Sequence, residues 1–364
     1  MKLLYIVPKI KNAGGVSRVL SIKANYFVEH FNYEVHILSQ NEENELPFYD
    51  FNSKVVFHNI ILEGNAFRFL QSYKNQINCA IQEIRPNIIL VADNGLKAFI
   101  FPFWIKTKSP IVFESHGSKF IEENPLKSDF LSKFISKIKY RFKDFGIKKY
   151  NKVVALSKAN LKEWDVKNGI IISNPSWVQT EIYSDLKHKK VIAIARNSYE
   201  KGLDKLLHIW KEVTKKHPDW ILNIYTDDFD CLNSKVSDLG IASTVFVSGF
   251  VRNIEDKYLE SSIYTMTSRS EGFPMVLLEA MSFGLPCIAF DCPTGPRSLI
   301  KNEENGFLIP NHDFEKYVNK LSILIECEDI RIKLGKNAKQ TAVNFSVEKI
   351  MGQWKLFLES LIKA

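Results

Sequence analysis

The 364-residue sequence predicts an α/β protein made of two doubly wound parallel-sheet domains, and three observations carry that prediction. The length exceeds what a single hydrophobic core commonly supports, so two domains are expected. Short β-branched runs alternate with amphipathic stretches of helical period, the pattern of parallel strands joined by crossover helices. The alternation is interrupted once, near the middle, and then begins again.

The opening MKLLYIVPKI supplies the first strand, Leu3–Val7. Pro8 follows at once, so the run is too short for a signal-peptide core or a bilayer span. Glu34–Leu38, Val55–Ile60, Ile88–Ala92, Ile111–Glu114 and Val153–Leu156 follow as strands of a first Rossmann-like domain over residues 1–172. The interruption, Ile170–Lys190, contains Asn174-Pro175 and a polar run ending Lys187-His188-Lys189-Lys190, and reads as a linker. Val191–Ala195, Trp220–Tyr225, Thr244–Val247, Ile263–Met266 and Cys287–Phe290 then build a second Rossmann-like domain over 173–344. Ile350, Trp354, Phe357, Leu358 and Leu361 recur at helical spacing, so 345–364 is expected to be a helix closing the N-terminal domain. Doubly wound sheets bind ligands at their strand carboxyl ends, which makes an interdomain cleft the expected active site.

An apolar fraction of 45% and a charged fraction of 25% match ordinary folded domains and exclude extensive disorder. The five cysteines (Cys79, Cys231, Cys287, Cys292, Cys327) are scattered, with no CxxC pair and no histidine at metal-ligand spacing. A reducing, cytoplasmic setting fits them, and no metal is expected. Of the net charge of +8, the basic excess lies in the N-terminal half: about 25 basic and 16 acidic side chains up to Ile172, against about 24 and 25 beyond. That half is expected to face something anionic.

Three motifs stand where strands give way to helices. Gly14-Gly15, followed by Arg18, comes after the first strand, where glycine permits close approach of the backbone and a helix N-terminus offers N–H groups to a phosphate. Arg196 and Lys201 follow the first strand of the second half, two cations suited to a diphosphate. Each of these alone fits a packing turn or a solvated loop as well. The third, Ser268 to Pro286, is more specific. Pro274 suits the first turn of a helix, Gly284 its end and Pro286 the exit to the next strand, which puts Glu271 in the loop and Glu279 on the helix.

The Glu271-Gly272-Phe273-Pro274-Met275-Val276-Leu277-Leu278-Glu279 run resembles the E-x7-E motif of the retaining GT-B glycosyltransferases of family 4, also called group 1, and the likeness extends over most of the C-terminal half. Arg196 and Lys201 match that family's Arg and Lys before Gly202, and Gly14-Gly15 match its N-terminal loop. Glu114-Ser115-His116-Gly117 stands in the place of its donor-facing histidine. The resemblance implies a GT-B fold and a retaining transfer from a nucleotide-sugar donor, with a UDP-sugar favoured, to a glycan or lipid-linked acceptor of surface polysaccharide biosynthesis. It implies that Arg196 and Lys201 neutralise the diphosphate, that Glu279 binds ribose hydroxyls, and that Glu271 with the N–H groups of Gly272 and Phe273 holds the sugar. Met275 and Val276 would lie at the phosphate end of the helix, and Val251, after Phe246–Phe250, at the base. His116 would lie near the reacting carbon and Gly15 near the distal phosphate. No cofactor is implied.

The sequence departs from the family at Thr226-Asp227-Asp228-Phe229-Asp230, where a Gly-rich turn is usual, and at Ala195, where the family has Gly. Asp228-Phe229-Asp230 spells the DxD of metal-dependent transferases, but a cation there would duplicate Arg196 and Lys201. The stretch Lys127 to Lys149 alternates large apolar with basic residues. It reads either as a helix lying on an anionic membrane surface, peripheral on the inner face, or as an ordinary packing helix with a solvated face. Nucleic acid is not an expected partner, since no recognition module accompanies the charge. The alternatives to transfer are another sugar-nucleotide enzyme, an epimerase or phosphorylase, and a catalytically silent nucleotide-sugar-binding subunit.

Overall fold

The computed structural model describes the chain except Asn44, 121–129, Gln179, Arg252, Ala364 and the side chains of 130–133. Residues 127–129 of the basic stretch therefore lie outside the described residues. The chain forms two compact units, Met1–Pro175 with Val347–Ala364, and Ser176–Ser346.

In chain order the first unit contains β1 (Lys2–Ile6), α1 (Gly15–Phe31), β2 (Glu34–Gln40), β3 (Val56–Ile60), α2 (Ala66–Ile84) and β4 (Ile88–Val91). There follow α3 (Leu96–Trp104), β5 (Ile111–Ser115), α4 (Phe130–Ile147), β6 (Lys152–Ala155), α5 (Lys158–Trp164) and β7 (Gly169–Ile171). Its sheet is parallel with strand order β3-β2-β1-β4-β5-β6-β7. β1, β4 and β5 are central and buried on both faces, which is why Leu3–Ile6, Ile88–Val91 and Ile111–Phe113 read as continuous apolar runs rather than alternating ones.

The second unit contains β8 (Lys190–Ile194), α6 (Leu203–Lys216), β9 (Ile221–Thr226), α7 (Phe229–Asp238), β10 (Val245–Gly249), α8 (Ile254–Leu259) and β11 (Ile263–Met266). It continues with α9 (Met275–Ser282), β12 (Cys287–Asp291), α10 (Pro296–Leu299), β13 (Gly306–Pro310), α11 (Phe314–Glu326) and α12 (Glu328–Ala342). The order β10-β9-β8-β11-β12-β13 is again parallel and reverses direction between β8 and β11.

Each core follows from sequence spacing. In α6 the buried residues Leu203, Leu206, Leu207, Trp210 and Val213 recur at the helical period and close over Val191, Leu222 and Ile224 of the sheet. In the first unit Phe99, Phe113 and Trp164 pack ring to ring, with Phe113–Trp164 centroids 5.3 Å apart. Burying such a side chain contributes roughly 1.5–3 kcal/mol. The last helix, α13 (Val347–Lys363), returns to the first unit and buries Ile350, Trp354, Phe357 and Leu358.

Two strands were not expected. β7 overlaps the start of the stretch read as a linker, and β13 follows Asn305 where no strand is announced. Both are short and flanked by turn residues, so nothing periodic marks them. Pairing makes them strands: Val153↔Gly169 joins β7 to β6, and Cys287↔Gly306 joins β13 to β12.

Candidate active site

In the second unit the sheet order sets the site. The chain leaves β8 and β11 side by side at their carboxyl ends, where the topology reverses and doubly wound sheets bind ligands. The two loops that follow are bonded together. Arg269 donates from its backbone N–H to Glu200 O at 2.7 Å, and its guanidinium forks onto Asp204 at 2.8 and 2.5 Å. Gly202 has φ +64, and a Cβ there would stand 2.3 Å from Thr267 O, so glycine is needed both for conformation and for closeness.

This brings Lys201, in a 3₁₀ turn over Tyr199–Lys201, onto Glu271. Its ammonium donates to both carboxylate oxygens, at 2.8 and 2.9 Å, and Ser268 Oγ donates to Oε1 at 2.7 Å. Glu271 is only 6% exposed. Its backbone carbonyl accepts from the Thr294 hydroxyl, which pins the loop.

Arg196 is exposed on the same loop, beside Asp227. Burial pushes the Asp227 carboxyl up. The backbone N–H groups of Asn197 and of Asp227 itself, the Thr226 hydroxyl and the Arg196 charge overcome that and hold it below its ordinary range.

Glu279 lies on α9, buried, and accepts from Trp177 Nε1 at 2.5 Å and Tyr258 OH at 3.0 Å. The buried Tyr264 phenol, within electrostatic reach of both glutamates, is pushed well above its ordinary range by burial, with Glu271, Cys287 and Glu279 adding to the shift. A small cavity under the loops is lined by Lys201, Glu271, Tyr264 and Val276. Gly272 and Phe273 are buried in the turn before α9, and no side chain caps that helix at Pro274, leaving Met275 and Val276 in an uncapped first turn. Gly284, with φ +76, ends the helix by reversing the chain toward β12. Val251, after edge strand β10, is exposed and two strands from β8 across the sheet.

The Asp228-Phe229-Asp230 run opens α7. Asp228 is its N-cap, accepting from Cys231 N at 3.4 Å, and Asp230 lies in the first turn. Acidic residues are favoured there by the helix dipole, a local reason for the sequence. Among the described residues no group of three His, Cys, Asp or Glu is placed to hold a metal ion. Among the same residues no helix is long and apolar enough to cross a membrane.

In the first unit Gly14 is the N-cap of α1, and its N–H donates to Asn12 Oδ1 at 2.8 Å. A Cβ at Gly15 would meet nothing within 4 Å, so the helix end is open to a ligand. Arg18 stacks 5.0 Å from the Tyr49 ring. His116, one residue past β5, bonds through Nε2 to Glu114 Oε2 at 2.9 Å.

Sequence reasoning missed the partners that hold these groups. Trp177 and Tyr258 on Glu279, Ser268 on Glu271 and Lys23 on Glu114 are all distant contacts or loop contacts. One signal was present: Lys23 occupies a buried position among Val19, Leu20, Ala24 and Phe27, where α1 is otherwise apolar or small.

Residues 179–341 match the family model of Glycosyl transferases group 1. The chain is 26% identical over 363 residues to an uncharacterized glycosyltransferase of Haemophilus influenzae, covering 97% of this chain and 99% of that one. It is 27% identical over 369 residues to the amylovoran biosynthesis glycosyltransferase AmsD of Erwinia amylovora, covering 97% and 98%. Among solved structures it resembles a mutant of S. aureus TarM in complex with fondaparinux, alpha-GlcNAc-glycerol and UDP, with a TM-score of 0.80, 15% identity and full coverage of both chains. Residues 179–341 thus resemble a group 1 glycosyltransferase domain, and the relatives that match nearly the whole chain support a glycosyltransferase on a GT-B fold.

Proposed function

We propose that the protein transfers a sugar, with retention of anomeric configuration, from a UDP-sugar to a glycan or lipid-linked glycan in surface polysaccharide biosynthesis. The observation that carries this reading is the Lys201–Glu271 pair past the end of β8, with Arg196 exposed on the same loop as Lys201. A cation pair there suits a diphosphate, and charge that develops on a leaving phosphate is the charge such groups stabilise best. Glu271 would take sugar hydroxyls through Oε2, whose one hydrogen-bond donor is Lys201 and which keeps a second acceptor site, and Glu279 on α9 would take the ribose hydroxyls. The UDP held by TarM favours a uridine nucleotide. The acceptor hydroxyl would attack from the face the phosphate leaves, giving its proton to a departing phosphate oxygen. No metal enters this scheme, because Arg196 and Lys201 supply the positive charge.

On this reading the acceptor would lie at an anionic membrane on the cytoplasmic side, and the exposed side chains of α4 support this. Its apolar residues Phe134, Ile135, Ile138 and Phe145 are 54%, 45%, 53% and 58% exposed, and Lys137, Arg141 and Lys148 are exposed with them. One face of α4 packs inward through Gly146 and Ile147, and the opposite face leaves these large apolar side chains to solvent beside the basic ones.

The test is to incubate the protein with UDP-glucose, UDP-galactose, UDP-N-acetylglucosamine and GDP-mannose and measure thermal stabilisation and nucleotide release. Stabilisation and slow release with a UDP-sugar are expected, because ligand that binds only the folded state raises its stability. Proton NMR of the anomeric coupling in the product decides retention. No stabilisation by any nucleotide sugar would overturn the reading.

A further inference from the structure

At the end of β5 lies a chain of buried charge that the transfer scheme above does not use. Lys23 Nζ on α1 donates to both oxygens of Glu114 at 2.7 and 2.8 Å, and Glu114 Oε2 stands 2.9 Å from His116 Nε2. The three side chains are 2%, 3% and 6% exposed. The ammonium also lies 3.6 Å from the centroid of Trp354 on α13. Removing two charges from water is costly, and apolar residues of similar volume commonly serve stability as well or better. Stability alone gives little reason for the triad.

Its hydrogen-bond logic gives a better one. An ionised carboxylate only accepts, so the contact with Glu114 requires His116 to donate from Nε2–H. In a neutral ring the other nitrogen, Nδ1, is then an acceptor. Among the described residues Nδ1 has no hydrogen-bond partner, and it is not among the fully enclosed orphan atoms. Lys23 keeps Glu114 ionised, for a protonated carboxyl could donate and would free the tautomer choice.

We infer that Lys23 and Glu114 are positioning residues that lock His116 in the Nε2–H tautomer and present Nδ1 as the acceptor for a hydroxyl of a bound sugar. Burial pushes Glu114 up, but Lys23 and His116 overcome it and hold the carboxyl down to about 2, in keeping with this role. The tautomer rests on geometry within the first unit. That the hydroxyl belongs to a sugar rests on the transfer reading.

Long-range ¹⁵N–¹H correlation spectra of the full-length protein, with His116 assigned through His116→Gln, test the tautomer without any substrate. The wild type is expected to show a single ring protonated at Nε2. A ring protonated at Nδ1 overturns the proposal outright. In Lys23→Met/Glu114→Leu the two tautomers are expected to mix, and an unchanged spectrum overturns it as well. With UDP-glucose as probe, that variant should lose about two-fold or more in kcat for UDP release, because only part of the rings keep the accepting Nδ1, while His116→Gln, which removes the imidazole, should lose about 10-fold, with KM changed by less than about two-fold in each. The triple variant should lose no more than His116→Gln does alone; a loss equal to the product of the two separate losses means the residues act independently and sinks the idea. If wild type does not turn over UDP-glucose, the transfer reading loses support while the spectra still decide the tautomer.

Discussion

Lys201 and Glu271 are bonded to each other, the ammonium lying 2.8 and 2.9 Å from the two carboxylate oxygens. Lys201 is 22% exposed and Glu271 6%, so the pair has one member at the surface and one beneath it. On the proposed reading a donor diphosphate draws the ammonium outward, and the freed carboxylate accepts sugar hydroxyls. The two residues thus exchange each other for substrate.

Arg196→Ala and Lys201→Ala should each lower turnover on the order of 10²–10³-fold, as loss of a preorganised electrostatic donor does. Steady-state release of nucleotide measures this. Wild-type turnover in both variants would end the diphosphate assignment.

The two glutamates should separate kinetically. Glu279 accepts from Trp177 and Tyr258, and a Gln there would turn its NH₂ toward one of those donors. Glu279→Gln should therefore cost about 1–3 kcal/mol of stability and raise KM for the donor. Glu271→Gln should instead lower kcat, if its sugar contact tightens as the bond breaks. Melting curves with kcat and KM for both variants test this, and identical kinetic profiles count against the division.

Excess EDTA should leave activity within a modest factor of its starting value, since Arg196 and Lys201 supply the charge a cation would bring. Asp228→Ala removes the N-cap of α7 and should cost about 0.5–2 kcal/mol of stability while leaving turnover intact. Loss of activity in chelator with rescue by Mn²⁺ would replace this scheme with a metal-dependent one.

Binding to anionic liposomes should fall steeply as salt rises, because exposed charges are screened beyond about 8–10 Å near physiological ionic strength. Lys137→Glu/Arg141→Glu/Lys148→Glu should abolish binding without changing Tm or donor affinity. Co-sedimentation reads the effect, and salt-independent or absent binding by the wild type removes the membrane from the account.

The Lys23–Glu114 pair should give stability a signature in acid. Glu114 is held to about 2 against an ordinary 4.5, so its contribution is present above pH 4.5 and is lost as the pH falls toward 2. Lys23, whose pKa burial lowers against the pull of Glu114, stays protonated across that window and changes stability only on the alkaline side. Between pH 5 and 2.5 the wild-type Tm should fall relative to Lys23→Met/Glu114→Leu. Parallel curves in calorimetry would contradict the depressed carboxyl.

The sequence by itself determined the layers. Buried parallel strands are continuous apolar runs, so Ile88–Val91 and Ile263–Met266 were legible, as was Glu279 on a helix that Gly284 ends. It also put Arg196, Lys201 and Glu271 at strand ends, where ligands bind. Only the tertiary structure decided what touches what. Sheet order set β8 beside β11 and thereby joined Lys201 to Glu271, an encounter that no local spacing encodes. The same holds for Lys23 and Glu114, 91 residues apart. A hydrogen bond needs two groups within about 3 Å, and sequence fixes such distances only along one element, not between two.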